Sequence, residues 1–249
     1  MIKYELKNGT GVLALNRPEK RNALHPDLIV QIKEKLKEIE IDESVKVLII
    51  TGEGKAFCAG ADLTYLNDLK NYSTVQNEKD SRELAELFLT IYNFPKPVIA
   101  AVNGAAIAGG CGLASVCDFI VADEEHSKFG YSEVKIGFLP AMVSFFVIKR
   151  IGEGFAKQLL LSADIINGKR AYQMGFVNYL YNNVLKGALE VASNLIGNSS
   201  LSMKISKEMI KNVSNLSIKE AIDYCINLNV ISRTTEDFKN GLNNFLTKK

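Results

Sequence analysis

The 249-residue chain contains no tryptophan, two histidines, four cysteines and five prolines. Cys58, Cys111, Cys117 and Cys225 are too few and too scattered for a disulfide framework in a chain this long, and no two form a C-x-x-C pair. His25 precedes Pro26 and His126 follows Glu124-Glu125; both read as surface residues, and no His/Cys ligand pair suggests a metal. No G-x-S-x-G elbow is present, so a nucleophilic hydrolase triad is unsupported. Excess charge is missing as well. Thirty Lys+Arg against 28 Asp+Glu leave +2, which excludes the electrostatic footprint of a nucleic-acid binder.

Long apolar runs are also scarce. Met1-Ile2-Lys3-Tyr4-Glu5 has no apolar core and does not read as a signal peptide, so a reducing cytoplasm is the expected location. Pro97 to Cys117 carries no charge and approaches the length of a membrane span, but Asn103, Gly104, Gly109, Gly110 and Gly112 interrupt it. No membrane association is expected. What remains, 47% hydrophobic and 23% charged residues, describes an ordinary globular protein of one large domain or two modest ones.

Ile2–Leu6 and Val12–Leu15 flank Asn8-Gly9 and predict a hairpin. Leu28, Ile29, Ile32, Leu36 and Ile39 follow helical spacing among Lys and Glu, and Glu78–Tyr92 is a second helical stretch. Val45–Thr51, Val98–Val102 and Phe119–Ala122 are runs rich in apolar and β-branched residues that suit strands buried on both faces. This alternation predicts an α/β core over residues 1–185. Residues 186–249 change to polar sequence with helical periodicity and predict a helical region packed on the core or on a neighbouring subunit.

Two segments share one design, a strand, then small residues, then a helix. The first runs through Cys58-Ala59-Gly60-Ala61-Asp62 and the second through Asn103-Gly104-Ala105-Ala106-Ile107-Ala108-Gly109-Gly110. Small side chains let a ligand approach the backbone, and a helix start offers unpaired N–H groups; two such turns facing one point would make an oxyanion hole. Tight strand–helix packing alone would also explain them. Gly110-Cys111-Gly112 is a near miss for a dinucleotide fingerprint, with Ser115 at the third glycine, and leaves a Rossmann-type oxidoreductase as a rival. Gly52-Glu53-Gly54-Lys55 fails as a phosphate loop because position 49 is Ile.

Leu15-Asn16-Arg17-Pro18-Glu19-Lys20-Arg21-Asn22-Ala23-Leu24, Phe57 to Leu63, Pro95 to Gly104, Cys117-Asp118-Phe119, Phe129 to Gly137 and Leu161 to Ile166 together resemble the enoyl-CoA hydratase/isomerase (crotonase) family in order and spacing. The resemblance covers nearly the whole chain. It implies a spiral of β-β-α units with a C-terminal helical trimerisation region, assembling as a homotrimer or a hexamer of paired trimers. The implied substrate is an acyl-CoA thioester, with coenzyme A as part of the substrate and no separate cofactor. By position, the family's oxyanion donors fall on the backbone N–H groups of Ala61 and Gly109. Lys20, Arg21 and Ala59 are the expected coenzyme A contacts, though Lys20 and Arg21 also read as an ordinary solvated pair.

Hydratases of this family use two glutamates. The later is Glu133; the earlier position is Gly112, and the glycine-rich run that often follows the proline is absent after Pro140. One carboxylate suffices for a 3-enoyl to 2-enoyl isomerase, whereas hydration must also activate water. The stretch from Glu133 to Ser144 is similar to methylglutaconyl-CoA hydratase-like members, which favours a hydratase. Tyr131, Ser132, Ser144 and Asp62 are candidates for the missing contact. A CoA-binding protein without turnover is the more distant alternative.

Overall fold

The computed structural model describes residues 1–247. Asn8 and Gly9, both at positive φ, close the turn between β1 (Ile2–Lys7) and β2 (Thr10–Leu15), which pair antiparallel from Ile2↔Leu15 to Lys7↔Thr10. α1 (Pro26–Ile41) starts on Pro26, with His25 Nδ1 accepting from the Asp27 N–H at 3.3 Å. It buries the stripe Leu28, Ile29, Ile32, Leu36 and Ile39 read from the sequence.

A repeated pattern then begins. β3 (Val47–Gly52) and β4 (Ala56–Cys58) lead into α2 (Leu63–Asp68) and α3 (Thr74–Tyr92). β5 (Val98–Val102) and β6 (Ala105–Ile107) lead into α4 (Gly109–Ser115). β7 (Phe119–Ala122) and β8 (Lys128–Gly130) lead through a 3₁₀ turn at Glu133–Ile136 into α5 (Ala141–Ser162). β9 (Ile166–Asn167), α6 (Gly168–Gln173), β10 (Tyr179–Leu180) and α7 (Val184–Ile196) follow, then α8 (Ser200–Val213), α9 (Ile218–Thr234) and α10 (Glu236–Thr247).

The first strand of each unit joins a six-stranded sheet, order β1-β2-β3-β5-β7-β10, and the second joins a four-stranded sheet, order β4-β6-β8-β9. The chain therefore climbs as a spiral of β-β-α units. The four residues Val47–Ile50 are all apolar because Leu48 and Ile50 face the main core while Val47 and Ile49 face α7 through Val184, Ala188, Val191 and Ala192. The boundary expected at 185/186 falls inside α7, since its apolar face closes the outer side of the sheet. Pro97–Cys117 resolves into β5, β6 and α4, charge-free because it runs through the interior; among the described residues no helix is long and apolar enough to cross a membrane.

α8, α9 and α10 bury none of their residues. Ile222, Ile226 and Val230 of α9 and Phe245 of α10 are each more than half exposed.

Candidate active site

β4, β6 and β8 run parallel, in the registers Ala56↔Ala105 and Ile107↔Gly130, so the segments leaving their carboxyl ends lie side by side. Those segments are the Ala59-Gly60-Ala61 turn, the Ala108-Gly109 turn and the Glu133 turn. Short strands in one sheet thus collect three distant parts of the sequence at one edge, the end of a parallel sheet where ligands bind.

Leu24 orients the first turn. Its N–H donates to the Gly60 carbonyl at 2.7 Å and its carbonyl accepts from the Asp62 N–H at 2.9 Å. These two bonds straddle Ala61, so the N–H and C=O of Ala61 point away from Leu24. In the second turn Ala108 adopts φ 51°, ψ −124°, a conformation costly for a residue with a Cβ, and its N–H is bound to the Gly130 carbonyl at 2.8 Å. That twist starts α4 at Gly109, whose N–H has no acceptor one turn back. The two turns touch: a Cβ on Gly60 would stand 3.1 Å from Ala108 Cβ, and one on Gly110 would stand 2.0 Å from the Cys58 carbonyl oxygen. Ala61 and Gly109 both remain partly open to solvent.

Glu133 is 9% exposed, and its Oε2 is buried without a hydrogen-bond partner. Burial pushes its carboxyl above the ordinary glutamate value, with no cation beside it to oppose the shift. Its backbone is fixed, the carbonyl accepting from the Phe138 N–H at 3.0 Å. A carboxyl whose pKa is raised by burial, on the same sheet edge as two free N–H groups, can exchange protons with a carbon acid whose negative charge those N–H groups hold.

The other candidates divide. Asp62 caps α2 through the Thr64 N–H at 3.0 Å and pairs with Arg17 Nη2 at 2.8 Å, which holds its carboxyl below the usual range. Ser144 Oγ donates to the Ala141 carbonyl at 2.7 Å. Tyr131 is fully buried beside Cys111 with its hydroxyl unpartnered, and Ser132 is half-buried. Lys20 and Arg21 are exposed, and the Arg21 carbonyl accepts from the Ala59 N–H at 3.0 Å, docking their loop on the first turn. Gly112 lies one helical turn beyond Gly109 and contributes no side chain.

The ion pair Arg17–Asp62 and the strained Ala108 were not singled out from the sequence. Arg17 and Asp62 stand in separate motifs, and only the fold joins them. The dinucleotide rival loses its footing: Gly110 and Gly112 lie inside α4, with Cys58 and Val143 filling the space a ligand would need. Among the described residues no group of three or more His, Cys, Asp or Glu could hold a metal ion. A cavity of about 490 Å³ lined by Pro97, Asp118, Phe119 and α8 lies at the opposite ends of β5 and β7, away from this edge.

The enoyl-CoA hydratase/isomerase family model matches residues 5–249. The chain belongs to this family. A crotonyl-CoA hydratase of Syntrophomonas wolfei is 34% identical, covering 100% of this chain and 95% of that protein. A Thermus thermophilus protein that carries a provisional enoyl-CoA hydratase name is 37% identical, covering 100% of this chain and 98% of its own. The crystal structure of an enoyl-CoA hydratase from Shewanella pealeana superposes with a TM-score of 0.95 at 28% identity, over 100% of this chain and 94% of the other.

Proposed function

We propose that the protein is an enoyl-CoA hydratase, a lyase that adds water across the double bond of a 2-enoyl-CoA. The observation that supports this reading is that the Ala61 turn, the Gly109 turn and the buried, unpartnered Glu133 follow three adjacent parallel strands. The thioester oxygen seats between the two N–H groups. Attack of water at C3 pushes electrons onto that oxygen, and each fixed donor aimed there is worth about 2.7–4 kcal/mol of barrier. Glu133 moves the protons. The reaction requires no cofactor beyond the coenzyme A of the substrate, whose anionic phosphates suit Lys20 and Arg21. The Ala59 N–H is already committed to Arg21, which leaves its carbonyl for the same ligand.

The apolar faces of α9 and α10 suit copies of this chain, in a homotrimer or a pair of trimers, and the setting is cytoplasmic. Loss of the conjugated-thioester absorbance of a short 2-enoyl-CoA, abolished in Glu133→Gln, tests the hydratase reading. The lone carboxylate also fits an isomerase. Absorbance gained from a 3-enoyl-CoA without hydration would move the assignment there, and coenzyme A binding without any turnover would leave only a binding protein.

A further inference from the structure

Two departures of the sequence from its family, the missing glutamate at position 112 and the missing glycine-rich run after Pro140, meet at one point in the fold. α4 packs on the start of α5, and a Cβ built on Gly112 would stand 2.2 Å from Val143 Cγ1 and 3.3 Å from Phe88 Cζ. Val143 Cβ itself is at 3.3 Å, so rotating the valine removes the contact with Cγ1 but still leaves a tight one that α5 must yield to. Val143 is 4% exposed and Phe88 fully buried. Gly112 is therefore a socket filled by the valine. A side chain at 112 requires a smaller residue at 143, and the two departures are one coupled exchange of volume.

The wall that results is apolar, and the carboxylates around it are accounted for. Asp62 is tied to Arg17 across the first turn. Tyr131 and Cys111, the titratable groups that feel the charge of Glu133, are both pushed up, first by burial, Cys111 to about 12, and stay neutral at working pH. Lys135 on the following turn is exposed.

We propose that this enzyme hydrates with a single carboxylate, Glu133, and that Val143 is the positioning residue that closes the place of a second. The proposal rests on the hydratase reading. The step uses the protonated form of Glu133, the form that its burial favours. One of its oxygens gives a proton to C2 while the other takes a proton from the water whose oxygen bonds to C3. The π pair of C2=C3 becomes the C2–H bond and a water lone pair becomes the C3–O bond. H and OH are added, and Glu133 ends protonated as it began.

The pH dependence of kcat/KM on a short 2-enoyl-CoA separates this from a two-carboxylate mechanism. The wild type is expected to show one limb, with activity level at low pH and falling as pH rises through the Glu133 pKa. Gly112→Glu alone is expected to lose at least about tenfold in kcat/KM through the clash. Gly112→Glu with Val143→Gly is expected to recover activity and to gain an acidic limb as a second carboxylate enters. A bell-shaped wild-type profile, or Gly112→Glu as active as the wild type, overturns the proposal. Gly112→Ala supplies a readout independent of turnover: it should lower Tm, and lower it much less in a Val143→Ala background. Equal losses in both backgrounds overturn the socket, whereas a wild type that hydrates no 2-enoyl-CoA defeats the hydratase reading and leaves the Tm comparison standing.

Discussion

Removing Arg17 should unfasten the loop that carries Lys20 and Arg21 from the turn that carries Ala61. Arg17 Nη2 meets Asp62 Oδ2 at 2.8 Å with side chains 11% and 6% exposed, and Nη1 donates to the Ala23 carbonyl at 2.7 Å. A charge left alone in such a place costs about 3 kcal/mol or more, and the lost bond to Ala23 adds about 1 kcal/mol. For a chain of this size each kcal/mol lowers Tm by roughly 2–4 °C, so Arg17→Ala should melt roughly 8–16 °C lower. Asp62→Asn should cost less than Asp62→Ala, because its one amide oxygen can still keep one of the two bonds, the cap to the Thr64 N–H or the bond from Arg17. The pH dependence has a definite sign. The folded-state pKa of Asp62 is depressed, so its contribution is complete above the unfolded carboxyl value near 4 and disappears as pH falls through the folded value. Calorimetry of Arg17→Ala, Asp62→Ala and the double variant reads the coupling. Single losses below about 1 kcal/mol that simply add would refute the claim that this pair fastens the site.

Ala108→Gly should release the strain at φ 51° and raise stability by up to about 1 kcal/mol, the glycine's extra unfolded-state freedom offsetting part of the gain; thermal melting checks this. Gly110→Ala drives a Cβ to 2.0 Å from a backbone oxygen that cannot yield, and should cost about 3 kcal/mol or prevent folding, seen as loss of soluble protein or a much lower Tm. Ile222→Lys with Ile226→Lys should leave secondary structure intact while reducing the mass measured by light scattering to that of one chain.

The long elements were legible because each announces itself locally. The stripe in α1, the Asn8-Gly9 turn and the strand Val98–Val102 need only their neighbours in sequence to be recognised. β4, β6 and β8 are three residues each, Ala56–Cys58, Ala105–Ile107 and Lys128–Gly130, too short for any periodicity, and they exist because they pair with one another across the spiral. The small sheet that aligns the site was therefore invisible. The site residues themselves were read largely by resemblance, but the reason Gly112 is a glycine was not, because it lies in Val143, on another helix. The partner of α7 was not legible for a similar cause: its apolar face looks the same in sequence whether it meets the sheet or a second chain.

In the proposed reaction Glu133, opposed by the N–H groups of Ala61 and Gly109, transfers the protons of hydration. The most direct measurement of this follows the conjugated-thioester absorbance of crotonyl-CoA with the purified wild type and with Glu133→Gln. The account predicts rapid loss of absorbance with the wild type and a rate at least about 10²-fold lower with a glutamine that fits the same space but carries no exchangeable carboxyl proton. Hydration by Glu133→Gln at the wild-type rate would contradict it.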